Sequence, residues 1–213
     1  MKASPEAPNR FHRALRGVLV IISAPSGTGK STICSRLLGR HKELRRSVSC
    51  TTRSPRPGEK DGRHYFFIGR DEFKRRIERH EFLEWAIVHD EYYGTPRSFI
   101  DSAIHAGTNV LLAVDVQGAA AIRRKRPESI LVFLVPPSLE SLRERLAHRR
   151  DETESVSRRL ESSRRELAHI QDYDYVVVND TLHDAVSEIE CILVAESLRV
   201  SRRRDLDVAW RPQ

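Results

Sequence analysis

The chain has 213 residues, of which 39% are apolar and 31% charged, and its formal net charge at pH 7 is +7. That length and apolar content suit one α/β domain with insertions, and no run of residues is apolar enough to span a membrane. The arginines are interleaved with acidic residues along the whole chain and no nucleic-acid-binding signature accompanies them. The composition therefore favours a cleft for phosphate groups over a nucleic-acid surface.

The two ends and the cysteines indicate the cellular setting. Residues 1–16 contain two prolines and scattered arginines but no apolar segment of a secretory signal, so we expect a disordered leader. Cys34, Cys50 and Cys191 are far apart and lack metal-ligand spacing, which indicates reduced thiols in a cytoplasmic protein. Residues 199–213 are expected to form a basic tail.

The first predicted strand, over residues 17–22, leads into a glycine-rich turn and an amphipathic helix. The turn and helix start read Ala24, Pro25, Ser26, Gly27, Thr28, Gly29, Lys30, Ser31 and Thr32. An ordinary strand–turn–helix is the alternative, but this glycine spacing lets backbone N–H groups and the helix N-terminus cradle phosphate oxygens. Lys30 would reach the β- and γ-phosphates and the Ser31 hydroxyl would bind Mg²⁺. The sequence therefore predicts a nucleoside triphosphate site, with Ala24 where the strict motif has glycine.

The stretch that follows breaks the alternation of buried strands and helices seen in the rest of the chain. Its predicted elements are a strand starting near Ser47, strands over 64–68 and 82–88, a helix capped by Asp71 and a helix over 97–105. We interpret it as a small β-rich lobe inserted into a parallel sheet that helices cover on both faces.

The apolar run Asn109–Asp115 is typical of a central parallel strand, and its last residue is acidic. Ligands bind at the carboxyl ends of the strands in open α/β sheets. Asp115 is therefore a candidate for orienting Mg²⁺, directly or through water. The alternative is that Asp115 only caps the helix that begins at Val116, and the two roles are compatible.

Two more buried strands are predicted, over 130–135 and 175–179, and Ser138 and Leu182 begin helices. Between them lies a polar stretch, about residues 143–165, which contains Arg143, Arg145, Arg149, Arg150, Arg158 and Arg159. These guanidinium groups suit a lid that closes over a nucleotide and stabilises a phosphoryl group in transfer. The alternative is a solvated helix with ion pairs such as Glu154 with Arg158.

The inserted lobe carries groups for a second substrate. Arg53 and Arg56 lie in a proline-stiffened loop, with Tyr65 and Tyr93 elsewhere in the lobe, and this set favours a second phosphate site. A carboxylate at Glu84 could accept hydrogen bonds from N1–H and the exocyclic amine of guanine, with the Ser49 and Thr95 hydroxyls on the remaining edge. The alternative for Glu84 is an ordinary surface position on its strand.

Five segments in a fixed order carry a resemblance to a known family. They are ISAPSGTGKST (22–32), SCTTRSPRPGEKDGRHYFF (49–67), EFLEWAIVHDEYYGTP (81–96), DVQG (115–118) and YDYVVVND (173–180). Together they resemble guanylate kinases over about residues 17–198. The arginine-rich and Tyr-Tyr-Gly segments are specific to this family and its non-catalytic relatives, whereas a phosphate loop alone is not.

The resemblance implies a core (17–47 and 107–198), a GMP-binding lobe (48–98) and a lid (about 143–165). It implies transfer of phosphate from ATP to GMP with Mg²⁺, and small-molecule substrates rather than nucleic acid or membrane. The residues that match those binding the GMP phosphate are Arg53, Arg56, Tyr65 and Tyr93. The residues that match those recognising guanine are Glu84, Ser49 and Thr95. The GMP-binding set also includes Glu59, Gly94 and Asp115. Residues that resemble the catalytic groups are Lys30, Arg53, Arg145, Arg149 and Arg159. Asn179 resembles an ATP contact near the adenine.

Two positions depart from the family pattern. Ala113 stands where the family usually has an acidic residue, and Arg150 stands where it usually has glycine, which leaves the lid register open between Arg149 and Arg150. Two other functions remain as alternatives. One is a non-catalytic guanylate-kinase-like binding module, and the other is a related kinase that phosphorylates a ribose phosphate.

Overall fold

The computed structural model describes residues 16–88, 90–147 and 156–202. Five parallel strands form the main sheet. In spatial order they are β2 (Leu44–Arg46), β7 (Asn109–Ala113), β1 (Leu19–Ser23), β8 (Ile130–Val135) and β9 (Tyr175–Val178). Because the strands are parallel, all five carboxyl ends lie at one edge of the sheet, where ligands bind in folds of this class.

Seven α-helices accompany the strands in the described part of the chain. They are α1 (Lys30–Arg40), α2 (Arg70–Glu78), α3 (Arg97–His105), α4 (Val116–Lys125), α5 (Leu139–Ala147), α6 (Val156–Leu167) and α7 (Leu182–Ser197). Short 3₁₀ turns cover Ile170–Asp172 and Val200–Arg202. None of the helices in these described ranges is long and apolar enough to cross a membrane.

The central strand β1 is buried along its whole length because its side chains alternate between two apolar cores. On one face, Val20 and Ile22 pack in a cluster with residues of α1 and α7, including Ile33, Leu37, Val186 and Ile189. On the other face, Leu19 and Ile21 pack in a cluster with residues of α3 and α4, including Ile100, Ile104, Ala119 and Ile122. Helices therefore cover both faces of the parallel sheet, as the sequence pattern predicts.

A second, four-stranded sheet interrupts the alternation. In spatial order its strands are β4 (Phe66–Phe67), β3 (Cys50–Thr51), β6 (Glu91–Pro96) and β5 (Phe82–Val88). Strands β5 and β6 form an antiparallel hairpin, and β6 also pairs antiparallel with β3. The apolar cluster beneath this sheet is small, and its buried members are Cys50, Phe73 of α2 and Phe82. Gly94 of β6 leaves the room that they need, because a Cβ there would lie 2.8 Å from the Phe73 ring.

The sequence missed two strands and misjudged two local features. Strand β2 is only three residues long and has two exposed arginines, and β6 carries Tyr92, Tyr93 and Gly94 rather than an apolar run. Helix α2 begins two residues earlier than predicted, so Gly69 rather than Asp71 is its N-cap. Asp71 lies in the first turn, where its charge suits the helix dipole. Strand β9 is an edge strand with Val176 and Val178 exposed, not a buried one.

Phe73→Ala should destabilise the protein because the Phe73 ring is fully buried, 4.4 Å from the Phe82 centroid and 5.2 Å from that of Tyr92. We expect a loss of about 3–5 kcal/mol in the free energy of unfolding, measured by urea denaturation. Phe99→Ala is the matched control, since Phe99 is 43% exposed, and should cost less than about 1 kcal/mol. Equal losses in both variants would contradict a separate apolar core beneath the second sheet.

Candidate active site

The loop between β1 and α1 has the backbone of a phosphate cradle. Gly27 and Gly29 adopt φ values of 84° and 95°, a region that side-chain-bearing residues rarely enter. Ala24 needs no such conformation, because His80 and Asp90 are the only non-glycine residues with positive φ in the described ranges. Gly29 precedes α1 without a side-chain cap, so the first N–H groups of the helix remain available to an anion.

Three side chains from the second half of the chain hold this loop in place. The Asn179 carboxamide donates to the carbonyl of Thr28 at 2.6 Å, and a Cβ on Gly29 would lie 2.5 Å from the same nitrogen. Arg145 donates twice to the Asn179 carbonyl, at 3.1 and 3.2 Å. Arg159, which is only 5% exposed, donates to the Ser26 hydroxyl at 2.8 Å. Of the two arginines expected in the lid, Arg159 therefore contacts the phosphate loop directly and Arg145 contacts it through Asn179.

Lys30 is held at the carboxyl end of β7. Its ammonium group donates to the carbonyl of Val114 at 3.0 Å. Burial lowers the pKa of Lys30, and the negative charges of Asp115 and Glu166 act in the opposite direction. The amine thus lies beside two carboxylates and a carbonyl at the strand edge, one residue before the exposed Ser31.

Asp115 caps α4, as one of its two predicted roles requires. Its Oδ1 accepts from the Gly118 N–H at 2.7 Å. The described residues contain no group of three or more His, Cys, Asp or Glu side chains that could hold a metal ion. The exposed Ser31 hydroxyl and the remaining oxygen of Asp115 fit an ion such as Mg²⁺, which keeps several waters and takes most other ligands from substrate phosphates.

Glu84 is buried, so the interpretation of Glu84 as a surface strand residue is wrong. It is 9% exposed, and its cross-strand neighbour Thr95 donates a hydrogen bond to Oε1 at 2.5 Å. Burial raises the pKa of Glu84, the Thr95 hydrogen bond lowers it, and the nearby Asp115 charge raises it further. The other carboxylate oxygen faces Gly118, where a Cβ would lie 3.5 Å from it.

Arg53 and Glu59 form a two-pronged ion pair across the loop between β3 and β4. The two N–O distances are 2.7 and 2.9 Å, and Glu59 also accepts from the backbone N–H of Arg56 at 2.7 Å. The Arg53 guanidinium lies 5.3 Å from the centroid of the Tyr65 ring, within cation–π range. Arg53 Nε is buried and has no hydrogen-bond partner among the described residues.

The other predicted GMP-site residues surround this pair. Tyr65 and Tyr93 make an edge-to-face contact with 5.9 Å between ring centroids. Ser49 lies next to β3 and its carbonyl accepts from Phe66, whereas the Arg56 side chain is exposed. Arg149 and Arg150, which the lid prediction includes, lie outside the described residues, as does the proposed partner Glu154.

Sequence reasoning missed two groups at the phosphate loop. One is the carbonyl of Val114, a backbone contact that no side-chain pattern reveals. The other is Glu166 of α6, which interacts electrostatically with Lys30 and Asp115 and whose pKa is raised by burial. Its signal was present, because Arg159, Ser163 and Glu166 are spaced by four and three residues and so share one helical face.

The Arg53–Glu59 pair should make stability depend on pH in acid. Hydrogen bonds from Arg53 and from the Arg56 backbone lower the pKa of Glu59 to about 2. Because the pKa of Glu59 is lower in the folded protein, its ionised carboxylate stabilises the fold fully at pH values above about 4.5, its ordinary pKa. This stabilisation disappears as the pH falls through about 2.

We therefore expect Glu59→Gln to lower the unfolding temperature at pH 7, and the gap to wild type to narrow between pH 4.5 and 2. Glu140→Gln is the control, because the described residues give the exposed Glu140 no ion pair. If the difference in unfolding temperature between wild type and Glu59→Gln stayed constant over this pH range, the stabilising role of the Arg53–Glu59 pair would be contradicted.

Comparison with known proteins identifies the family of this chain. The family model described as guanylate kinase matches residues 16–196. A guanylate kinase of Caldanaerobacter subterraneus subsp. tengcongensis is 47% identical over 93% of this chain and 97% of its own length, and one of Thermotoga maritima is 45% identical over 90% and 93%. The crystal structure of guanylate kinase from Anaplasma phagocytophilum superposes with a TM-score of 0.74 at 34% identity, covering 91% of this chain and 93% of that one. The chain belongs to the guanylate kinase family of nucleoside monophosphate kinases.

Proposed function

We propose that this protein transfers the γ-phosphoryl group of ATP to GMP, giving ADP and GDP, in a core of residues 17–47 and 107–198 with a GMP lobe over 48–98 and a lid near 143–165. One observation carries the proposal. The segment from the end of β7 to the first turn of α4 contacts Lys30 through the Val114 carbonyl and lies against the Glu84 carboxylate at Gly118. A group that suits phosphate and a group that suits guanine therefore meet at one segment.

The phosphate loop would bind the triphosphate. Backbone N–H groups of Gly27, Gly29 and Lys30 would cradle its oxygens, and Lys30 would leave the Val114 carbonyl to neutralise the β- and γ-phosphates. Mg²⁺, when bound near Ser31 and Asp115, would offset phosphate charge and order the triphosphate.

Arginines from α5 and α6 would stabilise the phosphoryl group in transfer. Arg159 already reaches the Ser26 hydroxyl of the phosphate loop, and Arg145 donates to the carbonyl of Asn179, whose carboxamide contacts that loop at Thr28. Their planar, permanently charged groups suit the three equatorial oxygens of the transferred group. Arg149 is assigned to the same set by its resemblance alone. Asn179 would contact the nucleoside end of ATP.

GMP, the acceptor, would be recognised at its base and at its phosphate. Glu84 would accept from N1–H and the exocyclic amine of guanine, a pair of donors that adenine lacks. Thr95, which orients the carboxylate, and Ser49 would meet the remaining edge, and Gly94 keeps the strand beside them free of a side chain. The buried carboxylate has one hydrogen bond from Thr95 in the described residues, so guanine would supply donors that this desolvated group lacks.

The phosphate of the acceptor would bind between Arg53, Arg56, Tyr65 and Tyr93. Glu59 supports this site by fixing the Arg53 guanidinium through both of its terminal nitrogens. The remaining Nε–H of Arg53, the exposed Arg56 and the two phenol groups would then serve the phosphate. A fixed arginine loses less conformational freedom on binding than a mobile one.

The activity is tested by offering ATP and Mg²⁺ with GMP, AMP, CMP, UMP and ribose phosphates in turn and measuring ADP. We expect ADP only with GMP, and at least a hundredfold less with Lys30→Ala, roughly the effect of losing a group that neutralises the transition state. ADP with a ribose phosphate alone would support the related kinase instead. Binding of GMP without ADP formation would support a non-catalytic module.

The role of Glu84 predicts a pH dependence specific to GMP. The raised pKa of Glu84 means that acidification protonates it sooner than an ordinary glutamate, and a protonated carboxyl cannot accept both guanine donors. The KM for GMP should therefore rise as the pH falls through this pKa, while the KM for ATP changes less. Thr95→Val should move the rise to higher pH, because the Thr95 hydrogen bond lowers the Glu84 pKa. Parallel changes of both KM values would exclude the guanine-reading role.

A further inference from the structure

A second cavity lies at the edge of the main sheet opposite to the phosphate loop. Its volume is about 200 Å³, and its floor is formed by the first residues of β1 and β8, including Leu19 and Ile130. Its walls include Arg16, Ser129 and Arg202. Since parallel strands run from this edge to the other, the cavity and the phosphate loop lie at opposite ends of the same strands, and neither shares a residue with the other.

Three acidic residues line this cavity. Glu128 is exposed and lies 3.4 Å from Arg126, and the other two, Asp174 and Glu196, are matched within the fold. Asp174 accepts from the Leu131 N–H at 2.8 Å and from the Arg123 guanidinium. Glu196 is only 3% exposed and accepts from the Tyr175 hydroxyl at 2.7 Å. It also pairs with Arg199 and Arg202, each at 3.1 Å. The carboxylates of Asp174 and Glu196 therefore have little remaining capacity to accept hydrogen bonds.

Hydrogen-bond donors in the cavity remain unmatched. The hydroxyl of Ser129, a residue 3% exposed, and the Nε of Arg202 are both buried without a partner among the described residues. Arg16 adds a guanidinium group for which the described ranges show no ion pair. A buried polar group without a partner costs free energy, so the cavity is complementary to a ligand that accepts hydrogen bonds and carries negative charge.

We propose that this cavity binds a phosphate-sized oxyanion through Ser129, Arg202 and Arg16. Inorganic phosphate offers four oxygen acceptors to the donors that line the cavity, and arginine is well suited to phosphate. The volume exceeds that of a single water and is too small for a whole nucleotide in the enclosed part. The proposal is independent of the assignment of the ATP and GMP sites.

The test compares three proteins: the wild type, Ser129→Ala and Ser47→Ala. Ser47 is the matched control because it is also a buried serine, 4% exposed, whose hydroxyl has no partner in the described ranges, and it does not line the cavity. Without phosphate, both variants should unfold at or above the wild-type temperature, since each removes an unmatched buried hydroxyl. Phosphate binding at the active site is common to all three proteins and cancels in the comparison.

Inorganic phosphate is then titrated at constant ionic strength, with sodium chloride as the salt control, and the unfolding temperature is recorded. Wild type and Ser47→Ala should be stabilised alike, whereas Ser129→Ala should respond as if its Kd for phosphate were about tenfold weaker, the loss of one hydrogen bond to a charged ligand. Arg16→Ala, which changes an exposed side chain, should show a similar loss. A second titration with AMP identifies the source of the anion. If AMP raises the unfolding temperature in a way that depends on Ser129, the cavity accepts the phosphate of a nucleotide. If AMP has no Ser129-dependent effect, the ligand is free phosphate.

Identical phosphate responses in Ser129→Ala and Ser47→Ala would overturn the proposal and leave the cavity with water only. That result would not affect the ADP assay, in which Ser129→Ala should match wild type in phosphate-free buffer. Conversely, a protein without GMP-dependent ADP formation could still show the Ser129-dependent response. The failure of one assignment is therefore distinguishable from the failure of the other.

Discussion

The architecture of the site depends on one short segment, residues 114–118, between the end of β7 and the first turn of α4. The Val114 carbonyl accepts from Lys30, and the Asp115 carbonyl accepts from the Ser23 hydroxyl at 3.4 Å. The Asp115 side chain caps α4 through the Gly118 N–H. There is little room for a side chain at Gly118, since a Cβ there would lie 3.3 Å from Asp115 Oδ1 and 3.5 Å from Glu84 Oε2. The phosphate loop and the second sheet are thus positioned against the same few atoms.

This arrangement keeps opposite charges desolvated at the strand edge without fully pairing them. Burial lowers the pKa of Lys30 and raises that of Glu84, so each charged form is less stable there than in water. Phosphate oxygens and guanine N–H groups are the complements of these two side chains. Groups that are held in place and poorly solvated before binding need little reorganisation when a complementary ligand arrives, which is the physical basis of electrostatic preorganisation. The second sheet contributes by holding Glu84 opposite Thr95 within a hairpin.

The main sheet and its covering helices could be predicted from the sequence because their signals are local. Apolar runs form β1, β7 and β8, and helical spacing marks α1 and α3. Strands β2 and β6 gave no such signal, because pairing with a neighbouring strand, rather than an apolar run, makes them strands. The glycine-rich loop was similarly clear, since its backbone conformation requires glycine at particular positions. Glu84 could not be placed from its strand pattern, because its burial depends on Gly118 and Thr95.

The substitution at Ala113 illustrates the same limit. The resemblance predicts an acidic residue at this position, and the end of β7 carries an exposed methyl group instead. Negative charge near Lys30 nevertheless comes from two other side chains. They are Asp115, two residues after Ala113, and Glu166 on α6. Glu166 lies on the same face of α6 as Arg159, which contacts the phosphate loop. The position of the Glu166 charge is therefore set by α6 and not by β7. The electrostatic neighbourhood of the lysine is therefore a property of how α6 packs, and the loss of a carboxylate at one strand end does not leave the ammonium group without acidic neighbours.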